Sequence, residues 1–304
     1  MIDFRQLIDA GLHFGHQKSR WCPKMKPFIW GHRGGIHLID VSKTAYALQK
    51  TAAFLESIVA RGETVLWVGT KKSAKEVIGP VGRELKMPYV DYRWVGGTIT
   101  NYAQVKKAVT KLLHYEDILA RAESDSNMYT KKELGRFQKL AERLRRSVGG
   151  LKDLRMPIGA VVLIDVKKEQ TALFEANVAN VPVVALVDTN GDPTGISYVI
   201  PGNDDSTKGV KFVIEYLRDA VKKGQAQKVV AQKQARQDEE LKAASRNKQE
   251  KVVADTEKVK DNSGIKAEAS PKTFARPIMN QRRSVGSDKK PSEKPTTKPV
   301  AKTK

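Results

Sequence analysis

The sequence predicts an α/β fold: a doubly wound, mostly parallel five-stranded sheet with an inserted antiparallel helical hairpin arm and a disordered basic C-terminal tail. Three observations predict it. Short runs of Val, Ile and Leu without polar alternation recur along the chain, which is typical of strands with both faces buried. Helical stretches separate these runs, and such crossovers make neighbouring strands parallel. One stretch between the strands, residues 101–149, shows helical periodicity alone.

Five apolar runs are the predicted strands, and each is short enough to be a strand rather than a helix. They cover residues 64–68, 87–91, 158–165, 182–188 and 197–200. The helices expected beside them cover residues 73–85, 171–179 and 205–223. This pattern assigns residues 1–100 and 150–224 to one α/β domain, in which helices cover both faces of the sheet.

Two apolar stripes divide residues 101–149 into two helices. Apolar side chains recur every three or four positions over residues 105–122 and again over residues 134–148. Thr130 and Glu133 have the spacing of a capping box, which starts the second helix. Because each stripe is narrow and the other faces are charged, we expect the hairpin to project as an arm. The alternative is that it covers the sheet.

Charge is the most informative bulk property. The 304 residues carry 55 Lys and Arg against 34 Asp and Glu, a net charge of +21. Residues 225–304 hold 20 basic and 10 acidic residues, so the remaining body, residues 1–224, still carries +11. Such a body favours a polyanionic partner, nucleic acid first and an anionic membrane surface second. The polar composition of the tail predicts that it is largely disordered, with a few helical turns up to residue 260.

Cysteine usage and hydropathy exclude further classes of protein. Cys22 is the single cysteine, which leaves no disulfide framework and no four-cysteine zinc site. No apolar run reaches about 18 residues, as a membrane helix requires. The N-terminus also lacks the pattern of a signal peptide. A cytoplasmic protein with no membrane partner is therefore expected.

An enzyme built on the same sheet is the leading alternative, namely one that binds a nucleotide or a sugar phosphate. Residues 68–73, Val-Gly-Thr-Lys-Lys-Ser, follow a strand and open a helix, where backbone N–H groups can hold a phosphate. However, neither the Walker spacing nor the dinucleotide fingerprint is present. No Ser/His/Asp or Cys/His set suggests a nucleophile. We therefore expect no catalytic residue and no cofactor.

The strongest chemical signal is a set of cations that are placed to contact RNA phosphates. The predicted RNA-binding residues are Lys18, Arg20, Lys24, Lys26, Arg33, Arg93, Trp94, Lys106, Lys107, Lys111, Arg143, Arg145 and Arg146. Aromatic rings are interleaved with the first five cations, and we expect Trp21, Phe28 and Trp30 to fix this loop to the body. The alternatives are that the rings stack on bases and that the helical cations form a solvated face.

Three motifs carry a resemblance to a known family. Gly-Leu-His-Phe-Gly-His occupies residues 11–16, and Arg-Trp-Val-Gly-Gly-Thr-Ile-Thr-Asn occupies residues 93–101. The third motif combines Val-Asp-Thr-Asn at residues 187–190 with Tyr-Val-Ile-Pro-Gly-Asn-Asp-Asp at residues 198–205. In this order they resemble bacterial-type small-subunit ribosomal protein number two, over about residues 1–224.

The resemblance implies a five-stranded parallel α/β domain with a helical hairpin arm and no catalysis. It implies a structural place in the small ribosomal subunit, against small-subunit ribosomal RNA and neighbouring ribosomal proteins. It also implies docking of the largest small-subunit protein, number one. A bacterial cytoplasm is favoured over an organelle, and no homo-oligomer is expected. The other remaining alternative is a free regulatory RNA-binding protein.

Carboxylates cluster at the ends of the predicted strands, and such oxygen ligands can hold a divalent metal. The resemblance makes the motif residues His16, Asp188, Asp204 and Asp205 the candidates. Asp side chains at these positions also cap helices and order loops. We expect no metal.

Overall fold

The computed structural model describes residues 2–124 and 129–261. Its helices are α1 (Phe4–Asp9), α2 (Val41–Ala60), α3 (Lys72–Leu85), α4 (Tyr102–Ser124), α5 (Lys131–Val148), α6 (Gln170–Val178) and α7 (Thr207–Asp261). Its strands are β1 (Phe14–Gln17), β2 (Ile29–Arg33), β3 (Ile36–Ile39), β4 (Thr64–Val68), β5 (Tyr89–Val90), β6 (Ile158–Ile164), β7 (Val183–Val187) and β8 (Tyr198–Pro201). The chain divides into a unit of residues 1–243, which holds both sheets, and a unit of residues 244–304.

Strands β4 to β8 form one sheet in the order β5-β4-β6-β7-β8, and every neighbouring pair is parallel. The central strand β6 has all seven residues buried. A central parallel strand packs against helices on both faces, which explains why the sequence of β6 is an uninterrupted apolar run. The predicted α/β class and five-stranded sheet are confirmed.

Alternate residues of each strand enter two separate cores, one on each face of the sheet. In β4, Val65 and Trp67 pack in the core that includes α2, α3 and α7. Leu66 and Val68 pack in the core that includes α4, α5 and α6. The sheet is therefore doubly wound, and the direction of winding reverses between β4 and β6, where such folds usually bind their ligands.

A second sheet near the N-terminus was not predicted. It is antiparallel, with β3 between β1 and β2. The segments Phe-Gly-His-Gln and Ile-Trp-Gly-His-Arg are short and show no alternation of apolar and polar residues, so periodicity gave no signal for strands. Gly34 and Gly35 have positive φ angles and form the turn between β2 and β3.

Helix α2 was also not predicted, although its sequence carries the signals of a helix. Asp40 is the N-cap, and its carboxylate accepts a hydrogen bond from the backbone N–H of Ser42. Leu48 and Leu55 lie two turns apart and are fully buried in the core. Helix α2 therefore covers one face of the parallel sheet.

The second helix of the hairpin, α5, begins and ends where the sequence predicts. Both hydrogen bonds of the capping box between Thr130 and Glu133 are present, and α5 ends at Val148. Val148, at the end of α5, belongs to the same core as strand β4. The part of the hairpin near Val148 therefore covers the sheet, as expected if the hairpin does not project as an arm. Farther from the sheet, Tyr115 of α4 stacks on Phe137 of α5 with ring centroids 5.8 Å apart. The division into arm and body remains a proposal.

Helix α7 continues beyond residue 223, where the helix of the body was predicted to end, and runs to Asp261, so the few helical turns expected up to residue 260 are part of one long helix. Its contacts with the rest of the first unit also continue, because Gln225 Nε2 donates to the carbonyl of Leu85 at 2.9 Å. Disorder was predicted for residues 261–304; Asp261 is still helical, and residues 262–304 lie outside the described residues. In the part of the chain that the structure describes, no helix has the length and apolar character to cross a membrane.

Candidate nucleic-acid interface

The N-terminal sheet is joined to the α/β sheet through the loop that follows β7. His16 Nδ1 lies 3.0 Å from Asp188 Oδ2, and this hydrogen bond raises the pKa of His16. The backbone N–H of His16 donates to Thr189 Oγ1 at 2.8 Å, and that of Cys22 donates to the carbonyl of Thr189 at 2.7 Å. A Cβ on Gly15 would lie 2.5 Å from Thr189 Cγ2, so glycine is required for this close approach. These contacts attach to the α/β sheet the N-terminal segment that carries the first five predicted cations, residues 18–33.

The candidate metal ligands meet at this edge of the sheet, but a lysine ammonium lies among them. Lys71 Nζ is 2.7 Å from Asp204 Oδ1 and 2.5 Å from Asp205 Oδ1. It is also 3.5 Å from Asp165 Oδ2. Burial alone would lower the pKa of Lys71, but the hydrogen bonds to Asp204 and Asp205 outweigh it and raise that pKa. The lysine therefore supplies the positive charge that a metal would bring.

Asp204 depends on this lysine, because its side chain is almost fully buried. Burial, which is the largest cause, and the neighbouring carboxylates together raise the pKa of Asp204 to about 6, although Lys71 opposes them. Among the described residues, no group of three or more His, Cys, Asp or Glu side chains has an arrangement that could hold a metal ion. The observed ion pairs of Lys71 and His16 make the cluster an internal salt-bridge network.

The crevice where a nucleotide would bind is occupied by a carboxylate. Glu169 is buried at the reversal point between β4 and β6, and its Oε1 accepts hydrogen bonds from the backbone N–H (3.3 Å) and the hydroxyl of Thr70. Burial raises the pKa of Glu169. Because Glu169 already accepts hydrogen bonds from the backbone N–H and the hydroxyl of Thr70, the loop that precedes α3 is poorly suited to hold a phosphate. The arrangement favours a structural junction over nucleotide binding.

A buried carboxylate on α6 organises the loop between β5 and α4. Glu175 Oε1 accepts hydrogen bonds from Trp94 Nε1 at 2.9 Å and from the N–H of Gly97 at 2.8 Å. Glu175 Oε2 accepts from the N–H of Ile99 at 3.1 Å and from Thr100. Burial alone would raise the pKa of Glu175, but these donors together lower it below its usual value. The motif at residues 93–101 is therefore a loop that wraps an internal anion.

Within this loop, Arg93 and Trp94 lie in different environments, although both were predicted to bind RNA. Trp94 is only 8% exposed and its indole N–H is used by Glu175, so its ring is not presented to a partner. Arg93, next to it, is exposed and makes no ion pair with any described residue. The sequence motif placed both residues in the interface, because spacing cannot show which of two neighbours points inward. We retain Arg93 as a candidate contact and assign Trp94 to the core.

Arg93 shares a surface cleft with two of the predicted arginines of α5. The cleft has a volume of about 460 Å³, and Arg93, Arg143 and Arg146 all line it. Lys139 also lines it and was not predicted, although it lies one helical turn before Arg143 on the same face of α5. We call Arg93, Lys139, Arg143 and Arg146 the arginine cleft. Lys106, Lys107 and Lys111 are exposed on α4 but do not line it.

Arg145 has a different environment from its two neighbours. Its Nη2 lies 3.0 Å from Glu116 Oε1 on α4, and Lys152 Nζ lies 2.6 Å from Glu116 Oε2. This pairing joins the two helices of the hairpin. Arg145 therefore has a counter-ion within the protein, which makes it a weaker candidate for a phosphate contact than Arg143 or Arg146.

The predicted cations near the N-terminus divide in the same way. Lys24 Nζ lies 2.8 Å from Asp192 Oδ2 and donates to Thr194 Oγ1 at 2.8 Å. The hydrogen bond from Lys24 is the main reason that the pKa of Asp192 falls to about 2. The other four cations of this group are exposed and make no ion pair with any described residue. They are Lys18, Arg20, Lys26 and Arg33.

The three aromatic residues expected to fix this segment behave differently. Phe28 packs against the core, and the ring of Trp21 lies 5.2 Å from that of the buried His37. Trp30, however, is 76% exposed, so the expectation that it packs against the body is wrong. Its side chain belongs to the surface.

Comparison with known proteins now identifies the family. A sequence profile described as ribosomal protein S2 matches residues 7–224, which are well over half of the chain. The chain belongs to the ribosomal protein S2 family. The match covers the sheets, the hairpin and the arginine cleft, and it ends within α7.

Individual relatives within the ribosomal protein S2 family share close to half of the aligned residues. Small ribosomal subunit protein uS2 of Thermobifida fusca (strain YX) is 43% identical over 224 residues, which are 74% of this chain and 76% of that protein. Small ribosomal subunit protein uS2 of Bradyrhizobium diazoefficiens is 41% identical over 216 residues, which are 71% of this chain and 65% of that protein. The resemblance seen in the three motifs is confirmed.

Proposed function

We propose that the chain is a structural component of the small ribosomal subunit that binds small-subunit ribosomal RNA through its exposed cations. The observation that carries this proposal concerns the twelve Lys and Arg residues predicted to contact RNA. Ten of them are exposed and make no ion pair with any described residue; only Lys24 and Arg145 have acidic partners. Membership of the ribosomal protein S2 family supports the same role.

Unpaired cations at this density need a counter-charge from outside the protein. Like charges on one surface repel one another, which destabilises the compact state. A phosphate backbone supplies regularly spaced negative charges, and its neutralisation releases condensed counterions. The arginine cleft therefore fits a polyanion better than an acidic patch on a protein, because one guanidinium group can donate two parallel hydrogen bonds to the oxygens of a phosphate.

The proposal includes a place for the chain among other ribosomal proteins in the cytoplasm of a bacterium. The family resemblance implies that one of these neighbours is protein number one, which the chain helps to dock. Support for the bacterial assignment comes from the two relatives, both of which are bacterial proteins. An enzymatic role has less support, since a carboxylate occupies the crevice between β4 and β6.

We expect the double variant Arg143→Ala with Arg146→Ala to weaken RNA binding and to reduce its salt dependence. If each arginine neutralises one phosphate, the slope of log K against log salt should become smaller in magnitude by roughly 1.4–1.8. The measurement is the affinity for a transcript of small-subunit ribosomal RNA at several salt concentrations.

Arg145→Ala is the matched control for this experiment. It removes the same charge from the same helix, but from a side chain that pairs with Glu116. The salt slope of this variant should stay close to that of the unchanged protein. Equal slopes for the double variant and the unchanged protein would show that the arginine cleft does not contact RNA.

A further inference from the structure

We propose that Trp30 is a stacking platform for an unpaired base of the bound RNA. The proposal rests on the proposed function, because it assumes an RNA partner, and it assigns to that partner a second kind of contact. The charges of the arginine cleft bind phosphates, whereas Trp30 would bind a nucleobase through its π-face.

The backbone of β2 directs Trp30 away from the protein. β2 is an edge strand of the N-terminal sheet. Its register against β3 shifts by one, because Ile29 faces Ile39 and Gly31 faces Leu38. Trp30 is therefore the extra residue of a β-bulge, a feature that redirects side chains and is common at sheet edges. Its side chain is 76% exposed, and no other large hydrophobic side chain in the described part of the chain is as exposed.

A single exposed hydrophobic residue is common on protein surfaces and indicates nothing alone. Trp30 combines the highest exposure among the large hydrophobic side chains of the described residues with a position in a segment whose charges are all positive. Residues 10–39 contain five Lys and Arg and no Asp or Glu, and the next residue, Asp40, has Lys43 Nζ 3.6 Å from its carboxylate. Lys26 precedes β2 and Arg33 ends it, and both are exposed and make no ion pair with any described residue.

These surroundings favour a nucleotide over a protein segment. A protein strand that added to the edge of β2 would need a regular row of backbone donors and acceptors, which the bulge interrupts. Unpaired RNA needs a ring for the base and cations for the phosphates beside it. Arg33 is three residues along the strand from Trp30, about 10 Å away at the usual rise of a strand. A ring and its neighbouring cations thus lie within the reach of a short RNA segment.

The test uses the full-length protein with Trp30→Ala and Trp30→Phe, and Tyr46→Ala as the control. Tyr46 is also a highly exposed aromatic residue, but it lies on α2. The probes are a transcript of small-subunit ribosomal RNA, a twelve-nucleotide oligouridylate, whose bases are largely unstacked, and the same oligouridylate paired with oligoadenylate. Trp30→Ala should weaken binding of the transcript and of the single strand by roughly 5- to 100-fold. Trp30→Phe should restore most of this loss.

The duplex gives the decisive contrast, because its bases are already stacked. Trp30→Ala should bind the duplex as tightly as the unchanged protein does, and Tyr46→Ala should bind all three probes normally. Trp30 fluorescence offers an independent readout, since Trp67 and Trp94 are buried and Trp21 is half-buried. Addition of the transcript should quench a component of the emission that Trp30→Phe lacks.

Two results would overturn the proposal while leaving the proposed function intact. One is wild-type affinity of Trp30→Ala for the transcript; the other is equal loss of affinity for single strand and duplex. Trp30 would then contact a neighbouring protein or be a surface residue that does not stack on a base. Failure of the proposed function is a different result, in which the unchanged protein itself does not bind the transcript. All variants should melt at the temperature of the unchanged protein, because Trp30 is not part of the core.

Discussion

Replacement of Glu175 by alanine is expected to lower the free energy of unfolding by about 3–5 kcal/mol, because it leaves the donors of Trp94, Gly97 and Ile99 without their acceptor. Buried N–H groups that lose a charged acceptor are among the costliest defects in a protein. The loop that carries Arg93 should lose its fixed conformation at the same time. Thermal unfolding measures the first effect, and amide hydrogen exchange over residues 93–101 measures the second.

Two variants make the Glu175 experiment specific. Glu175→Gln keeps one acceptor oxygen and should give an intermediate loss of stability. Glu76→Ala removes an exposed carboxylate of α3 and should change the melting temperature little. If Glu175→Ala melts like the unchanged protein, the loop is held by its apolar contacts and Glu175 does not organise it.

The pH dependence of the Glu175 contribution follows from the direction of its pKa. Its pKa is lower in the folded protein than in the unfolded chain. The folded state therefore binds fewer protons, and the stabilisation is present above the unfolded pKa and lost as the pH falls through the folded value. The difference in stability between the unchanged protein and Glu175→Ala should shrink below about pH 4.

Lys71→Met is the second substitution with a large expected effect. It removes the ammonium that lies 2.7 Å from the buried Asp204, and leaves that carboxylate among others of the same sign. Removal of one partner of a buried ion pair costs about 3–5 kcal/mol. Lys72→Met is the control, because Lys72 is the exposed neighbour and makes no ion pair with any described residue.

The cost of Lys71→Met should depend on pH in a defined direction. The pKa of Asp204 is about 6 in the folded protein, which is above its value in the unfolded chain. Its ionisation therefore reduces stability as the pH rises through about 4 to 6, and Lys71 offsets part of that loss. The variant should be closest to the unchanged protein near pH 4 and least stable relative to it at pH 8. A deficit that is constant from pH 4 to pH 8 would contradict the pairing of Lys71 with Asp204.

Local patterns predicted the parallel sheet and the hairpin well. The apolar runs of β4 and β6 and the capping box at Thr130 are signals within a few residues, and each is found in the structure. The N-terminal sheet was missed, because short strands with a bulge and several glycines carry no periodic signal. It also makes contacts with a loop about 170 residues away, such as that between His16 and Asp188, which local patterns cannot show.

The residues of the candidate site could be proposed from the sequence, but their contacts with one another and with acidic side chains could not. Charge density identified the cations, yet it could not show that Arg145 and Lys24 have acidic partners distant in sequence. The role of Glu175 was hidden as well, since a glutamate in a helix is usually solvated and its partners lie 75 or more residues earlier. Trp30 shows the opposite error: it was expected to fix a loop to the body, because a large aromatic side chain usually packs in a core, but it is exposed.

The central claim is that the chain is an RNA-bound component of the small ribosomal subunit. Sedimentation of the tagged full-length protein from a bacterial lysate through a sucrose gradient tests it most directly. We expect the protein to sediment with the small subunit, and we expect the triple variant Arg93→Ala, Arg143→Ala and Arg146→Ala to move partly to the top of the gradient. If the unchanged protein is found only at the top, it is a free RNA-binding protein or has another role, and the claim is wrong.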